Sequence, residues 1–100
     1  SASAKISEGA QILAGVIIGP NSSIGPNSII NTKASIDHDC KIGSSVHIAP
    51  GAIICGEVEI GDNSFIGAGS IIVNGSKIEN NTIIKAGELV YNNKNFQKDC

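Results

Sequence analysis

A branched aliphatic residue occupies every sixth position of the chain from residue 6 to residue 90. The fifteen positions are Ile6, Ile12, Ile18, Ile24, Ile30, Ile36, Ile42, Ile48, Ile54, Ile60, Ile66, Ile72, Ile78, Ile84 and Val90. A period of six matches neither a helix nor the alternation of a single amphipathic strand. A short unit repeated without slippage is typical of a solenoid, in which each unit buries its apolar side against its neighbours. The pattern therefore predicts an all-β fold, a parallel β-helix built from hexapeptides.

Three hexapeptides per turn of the solenoid would give about five coils of 18 residues. Residues one coil apart would then stack at about 4.8 Å, so the solenoid would be roughly 24 Å long. We expect a lead-in at residues 1–5, the repeat domain at residues 6–95 and a tail at residues 96–100. The pattern weakens from residue 91, and the last ten residues are expected to cover the open edge of the final coil.

Two further columns of the repeat support this prediction. Two residues before each aliphatic position lies a small or β-branched residue, which alternation also turns inward. Three residues after it, glycine and asparagine predominate, and both tolerate the positive φ of a left-handed turn. The turn column departs from this rule at Lys33, Asp39, Ser45 and Glu57. The first three are consecutive in the column and enclose His38, and local rules are most often broken where function requires it.

The residue directly before each aliphatic position points outward, and these residues form three columns. One column is polar: Ser23, Lys41, Glu59, Lys77 and Asn95. Two columns are mostly apolar: Ile17, Ser35, Ile53, Ile71 and Leu89 form one, and Gln11, Ile29, His47, Phe65 and Ile83 form the other. Contiguous exposed apolar surface usually marks an interface, although isolated surface aliphatic residues are the alternative. We therefore predict a homotrimer with parallel solenoid axes.

Composition excludes several classes of function. The net charge is −2 with no basic block, so nucleic acid is not an expected partner. No apolar run is long enough to span a membrane, and no signal-peptide pattern is visible, so a cytoplasmic location is expected. The three cysteines lack the spacing of a metal or redox motif, which favours incidental thiols in a reducing compartment and no metal.

The two histidines are the best candidates for chemistry. His38 lies between Asp37 and Asp39 at a predicted corner, where it could be a general base oriented by Asp39 or an ordinary surface histidine. His47 follows nine residues later, which is half a coil. The two rings should therefore lie on different sides of one solenoid, and a site that uses both must lie between two subunits.

The stretches NTKASIDHDC at residues 31–40 and HIAPG at residues 47–51, within the hexapeptide repeat, resemble a known family. They are similar to the left-handed β-helix sialic-acid O-acetyltransferases and UDP-amino-sugar (bacillosamine-pathway) N-acetyltransferases, over roughly residues 4–90. The resemblance implies the left hand of the coil and a C-terminal acetyltransferase domain. It also implies acetyl-CoA as co-substrate, and a sugar or nucleotide sugar as acceptor. Members usually carry an N-terminal Rossmann-like half and a glycine-proline-alanine loop after the last coil, neither of which these 100 residues contain.

The resemblance also implies roles for individual residues. His38 matches the catalytic base and Asp39 the acidic residue that orients it, while Asn31 matches an asparagine near the sugar. His47 matches a histidine that contacts acetyl-CoA from the adjacent subunit. Ala68 and Ala86, which are 18 residues apart in one corner column, match positions where small residues let the pantetheine arm approach the backbone.

Three functions follow as candidates. The first is an acetyl-CoA-dependent sugar acetyltransferase that uses direct attack on the thioester, with the acceptor either an amine or a hydroxyl. The second is a structural β-solenoid without activity, although a pure scaffold has no reason to vary its turns around His38. The third is a zinc enzyme like the γ-class carbonic anhydrases, which needs three histidine ligands and a close histidine pair that this sequence lacks.

Overall fold

The computed structural model describes residues 1–91, and these residues form short strands joined by turns, without helices. Each hexapeptide contributes one two-residue strand that ends on the repeated aliphatic residue. The strands are β1 Lys5–Ile6, β2 Gln11–Ile12, β3 Ile17–Ile18, β4 Ser23–Ile24, β5 Ile29–Ile30, β6 Ser35–Ile36, β7 Lys41–Ile42, β8 His47–Ile48, β9 Ile53–Ile54, β10 Glu59–Ile60, β11 Phe65–Ile66, β12 Ile71–Ile72, β13 Lys77–Ile78, β14 Ile83–Ile84 and β15 Leu89–Val90. The first strand therefore begins at Lys5, within the expected lead-in, whereas residues 92–100, with the expected tail, lie outside the described residues.

The strands assemble into three parallel sheets, each of which takes every third strand. Sheet A has the order β1-β4-β7-β10-β13, sheet B β2-β5-β8-β11-β14 and sheet C β3-β6-β9-β12-β15. The register pairs residues 18 apart, as in Ile24 with Ile42 and Ile30 with Ile48. This arrangement confirms the predicted β-solenoid of five 18-residue coils. No helix that could span a membrane is found in residues 1–91.

The repeated aliphatic residues form the core, as the six-residue period predicts. Ile30, Ile36, Ile48 and Ile54 are fully buried, each stacked between residues of the coils above and below. Ile12 in the first coil keeps 37% of its surface exposed, because no preceding coil covers it. The hydrophobic contribution to stability is therefore concentrated in the middle coils, which also carry His38 and His47.

Serine side chains also point inward, two residues before the repeated aliphatic residue, and their hydroxyl groups form hydrogen bonds to the next coil. Ser22 Oγ donates to the Asp37 carbonyl at 2.7 Å and accepts the Cys40 N–H at 3.0 Å. Ser28 makes the same pair of bonds with Gly43 and Val46. A hydroxyl buried in an apolar interior is tolerated only when it is hydrogen-bonded. These bonds tie the turn around His38 to the preceding coil.

The turn column keeps one backbone conformation in spite of its varied residues. Lys33, Asp39, Ser45 and Glu57 have φ of 61°, 57°, 56° and 59°, close to the 61° of Asn63. A side chain in this left-handed region costs about 1–2 kcal/mol. The strain is held by hydrogen bonds between coils, such as those from Asp39 N–H to the Pro20 carbonyl and from Glu57 N–H to the His38 carbonyl, both 2.9 Å. The departures around His38 thus change the side chains presented at the corner and leave the backbone regular.

Candidate active site

His38 lies in the turn between β6 and β7, at the corner between sheets C and A. Its backbone N–H donates to Asp37 Oδ1 at 2.8 Å, and its Nδ1 lies 2.8 Å from Asp39 Oδ2. An ionised carboxylate can only accept, so the ring carries its proton on Nδ1 and Nε2 holds the free lone pair in the neutral form. The side chain is 45% exposed. This is the arrangement that a general base requires, with the lone pair of the second nitrogen left to accept a proton.

Carboxylates surround the ring and favour its protonated form. The hydrogen bond that His38 donates to Asp39 is the largest influence on the pKa of His38 and raises it. Desolvation, the second-largest, lowers it, and the negative charges of Asp37, Asp39 and Glu57 raise it further. Glu57 belongs to the next coil, one turn position beyond Asp39 along the axis. The local field at this corner is therefore negative, although the base form of His38 is still reached when the pH rises above its pKa.

Gly56 lies directly against the His38 ring, because it is 18 residues further along and stacks on it in the next coil. A Cβ atom at residue 56 would lie 2.5 Å from His38 Nε2 and 2.9 Å from Asn74 Oδ1. The backbone of Gly56 does not have positive φ, so the requirement for glycine is steric. No single column of the repeat indicates this residue, whereas its spacing of one coil from His38 does.

His47 lies on strand β8 in sheet B, across the solenoid from the corner that holds His38. Its ring makes an edge-to-face contact with Phe65, with centroids 5.2 Å apart and planes at 72°. Asn31 Nδ2 lies 3.4 Å from His47 Nε2. Asn31 and His47 thus form one group and His38 with Asp39 another, and a single chain does not bring the two groups together.

Ala68 and Ala86 lie in the turns that join sheet B to sheet C, where both are exposed. The adjacent Gly69 and Gly87 have φ of 69° and 74°, and a Cβ atom on either would meet nothing within 4 Å. The Gly87 N–H donates to the Ala68 carbonyl at 2.8 Å, so successive turns are held in register. This corner exposes backbone along several coils and shares sheet B with His47.

The thiol that follows the His38-Asp39 pair is structural. Cys40 is fully buried and its Sγ–H donates to the Cys55 carbonyl at 3.0 Å. Burial raises the pKa of this thiol, which disfavours the thiolate that a nucleophile needs. Cys40 and Cys55 are both free thiols, and within residues 1–91 no group of three or more His, Cys, Asp and Glu side chains could hold a metal ion.

Much of the outward surface of sheets B and C is apolar. On sheet B, Ile83 is 73% and Phe65 38% exposed, and on sheet C, Ile17 is 66% and Leu89 51% exposed. Sheet A instead carries the ion pair of Lys77 with Glu59, whose charged atoms lie 3.1 Å apart. The three faces of the solenoid therefore differ, with one suited to water and two suited to contact with other apolar surface.

Comparison with known proteins gives consistent matches. The chain matches the family described as bacterial transferase hexapeptide (six repeats) over residues 2–32, 22–56 and 57–87. No curated protein matches it significantly.

Among solved structures, the acetyltransferase domain of PglB from Neisseria gonorrhoeae FA1090 in complex with acetyl coenzyme A is similar, with a TM-score of 0.86 and 32% identity. That match covers 91% of this chain and 46% of the other. PerB from Caulobacter crescentus in complex with CoA and GDP-perosamine matches with a TM-score of 0.75 and 34% identity, over 91% of this chain and 49% of the other.

A histidine-to-alanine variant of the GDP-perosamine N-acetyltransferase from Caulobacter crescentus, with the same two ligands, matches with a TM-score of 0.75 and 33% identity, over 89% of this chain and 47% of the other. The chain spans about half the length of these structures. The unbroken hexapeptide core and the matches along nearly all of it show that the chain belongs to the bacterial hexapeptide-repeat transferase family.

Proposed function

We propose that this chain is an acetyl-CoA-dependent acetyltransferase domain that transfers an acetyl group to an amine of a sugar or nucleotide sugar. The observation that carries the proposal is the His38–Asp39 pair, joined at 2.8 Å through Nδ1 so that Nε2 is left to accept a proton, on a scaffold whose matched structures hold acetyl-CoA, CoA or GDP-perosamine. A structural solenoid would have no need for an oriented base at one corner. The cytoplasmic location expected from the sequence stays a prediction.

The chemistry follows from what His38 can do. The acceptor amine attacks the thioester carbonyl of acetyl-CoA, and His38 Nε2 takes the proton that the nitrogen loses as the C–N bond forms. The tetrahedral intermediate then collapses, the C–S bond breaks, and the proton on His38 is available to the departing CoA thiolate. Asp39 keeps the ring in the required tautomer and stabilises its protonated form. Because Cys40 is buried with a raised pKa, it is unsuited to act as a nucleophile, and we expect direct attack without an acyl-enzyme.

The negative field at the corner favours an amine over a hydroxyl as acceptor. Asp37, Asp39 and Glu57 all act on His38, and the same carboxylates would attract the ammonium form of an amino sugar, which releases one proton to solvent before the neutral amine attacks. A neutral hydroxyl would gain nothing from this field. The solved structures of similar sequence include an enzyme named as an N-acetyltransferase.

The function is tested by CoA release from acetyl-CoA, with a nucleotide-linked amino sugar as acceptor and the matching hydroxy sugar as control. Turnover with the amino sugar alone is the expected result. Turnover with only the hydroxy sugar would assign O-acetylation. If the folded protein releases no CoA with either sugar, the non-catalytic solenoid is favoured.

The site requires a second subunit if it uses both histidines, and the apolar surfaces of sheets B and C provide the interface of the proposed homotrimer. Phe65→Glu is expected to weaken the trimer, because the substitution would bury a charge in a packed interface. Ser23→Glu makes the same change of charge on sheet A and should leave the mass of the trimer in solution unchanged. Sedimentation equilibrium measures both, and a wild-type monomer at micromolar concentration would contradict the shared site.

The pH profile of kcat should report the interaction between Asp39 and His38. The base form of His38 is lost as the pH falls through its pKa, which the Asp39 hydrogen bond raises most. Asp39→Asn should therefore move the acidic limb of the profile to lower pH, together with a loss of kcat smaller than that of His38→Ala. Glu57→Gln removes a charge that raises the pKa of His38 less, and it should therefore move the acidic limb by a smaller amount. An unchanged limb in Asp39→Asn would mean that the limb does not report His38.

Gly56→Ala should impair catalysis through the position of His38. The new methyl group would overlap His38 Nε2 and push the ring from its place, because the backbone beside it is fixed between coils. A displacement of about 1 Å can lower kcat by about 10²-fold. The affinity for acetyl-CoA should change little, which isothermal titration calorimetry can verify. Wild-type kcat in this variant would show that the ring position observed here is not the productive one.

A further inference from the structure

The side-chain amide of Asn31 has a defined orientation, because Thr32 fixes one end of it. The Thr32 backbone N–H donates to Asn31 Oδ1 at 2.7 Å, and the Thr32 hydroxyl donates to the same oxygen at 3.2 Å. A backbone N–H can only donate, so the atom that faces it must be the amide oxygen. The NH₂ group of Asn31 is therefore the end that points towards His47.

This orientation determines where His47 carries its proton. Asn31 Nδ2 lies 3.4 Å from His47 Nε2, and an NH₂ group has hydrogens to donate and no lone pair to offer. His47 Nε2 must then be the acceptor, which places the proton of the neutral ring on Nδ1. The Phe65 ring, 5.2 Å away at 72°, fixes the imidazole plane. Within residues 1–91, the imidazole has no other hydrogen-bond partner.

We propose that Asn31 is a positioning residue that holds His47 as the Nδ1–H tautomer, so that His47 donates a hydrogen bond to a carbonyl oxygen of acetyl-CoA. The identity of that acceptor rests on the proposed function, whereas the tautomer follows from the contacts of Asn31 alone. This role differs from the position near the sugar that the resemblance implies, because Asn31 acts through His47.

The two histidines then have opposite uses although they carry the proton on the same nitrogen. Asp39 accepts the Nδ1–H of His38 and leaves Nε2 as an acceptor. Asn31 instead occupies Nε2 of His47 and leaves Nδ1–H as a donor. One ring is prepared to take a proton from the acceptor amine, and the other to donate a hydrogen bond to an acyl or amide oxygen.

The test is ¹⁵N NMR of the full chain labelled at histidine. The sequence has two histidines, so His38→Gln assigns both sets of signals. Wild-type His47 should show a protonated Nδ1 and a bare Nε2. In Asn31→Asp, the Thr32 N–H still holds one oxygen and the other replaces the NH₂ group, so the proton should move to Nε2. Thr32→Val removes the weaker of the two bonds to Oδ1, keeps the backbone N–H and should preserve the wild-type signals.

Binding of acetyl-CoA supplies the second readout. Acetyl-CoA should shift the His47 Nδ1–H signal in the wild type, and Asn31→Asp should raise the Kd about 2- to 10-fold, the usual effect of one lost hydrogen bond. Thr32→Val should keep the wild-type Kd. A wild-type His47 protonated on Nε2, or an unchanged tautomer in Asn31→Asp, would overturn the role of Asn31.

If the tautomers behave as expected but bound acetyl-CoA leaves the His47 signals unchanged, the donation to acetyl-CoA is overturned. Absence of acetyl transfer while acetyl-CoA still binds and shifts His47 would overturn the proposed function instead, and would leave the assignment of Asn31 standing.

Discussion

His38→Ala is expected to lower kcat by about 10²–10⁴-fold, the contribution that a positioned general base makes. The loss follows from the removal of Nε2, the nitrogen proposed to take the proton from the attacking amine. The fold should survive, because the ring is 45% exposed and the hydrogen bond from Glu57 N–H to the His38 carbonyl uses only backbone. Acetyl-CoA affinity should stay close to that of the wild type.

Steady-state assays of CoA release, with circular dichroism for folding, measure this effect. His38→Gln is the second variant, since it keeps a polar side chain and removes the base. Wild-type turnover in either variant on an amino-sugar acceptor, or accumulation of a covalent acetyl-enzyme, would refute the direct mechanism.

Ala68→Trp and Ala86→Trp are expected to raise the Kd for acetyl-CoA by at least about tenfold, which corresponds to 1.4 kcal/mol of lost binding energy. Both alanines are exposed at the corner between sheets B and C, so an indole there would occupy the space proposed for the pantetheine arm. The side chains point away from the core, and the stability of the solenoid should therefore change little.

Ala14→Trp provides the matched control, because Ala14 is exposed in the same corner column but lies in the first coil. Calorimetric titration with acetyl-CoA compares the three variants. An affinity unchanged in both Ala68→Trp and Ala86→Trp would place the cofactor groove elsewhere on the solenoid. A large loss in Ala14→Trp as well would show that the effect is not specific to these coils.

The period of the sequence was sufficient to predict the core, because burial in a solenoid depends only on stacking every eighteenth residue. Ile36 and Ile54 are buried one above the other, as the pattern requires. The period could not show that Ile12 stays partly exposed, since that depends on the end of the stack. It also carries no information on the hand of the coil, which rests on the resemblance alone.

The site was less predictable than the core, because it depends on side chains from different coils. The His38–Asp39 pair was expected from neighbouring residues, and the structure places the two atoms 2.8 Å apart. The steric demand at Gly56 arises between coils, and the Asn31–His47 contact depends on the rotamers of both side chains. Neither can be read from a column of the repeat. Glu57 has the left-handed φ of its column although glutamate does not favour it, because hydrogen bonds between coils hold the backbone.

The most direct test is to mix His38→Ala, which lacks the proposed base, with His47→Ala, which should bind acetyl-CoA weakly. Acetyl transfer is measured after the subunits have exchanged, at an acetyl-CoA concentration too low for His47→Ala alone to turn over appreciably. In a cyclic trimer with one site per interface, a random equal mixture should restore about a quarter of the sites, because one neighbour supplies His38 and the other His47. Activity well above that of either variant alone is expected. A mixture no more active than its components, with exchange verified by mass spectrometry, would contradict a site that is shared between subunits.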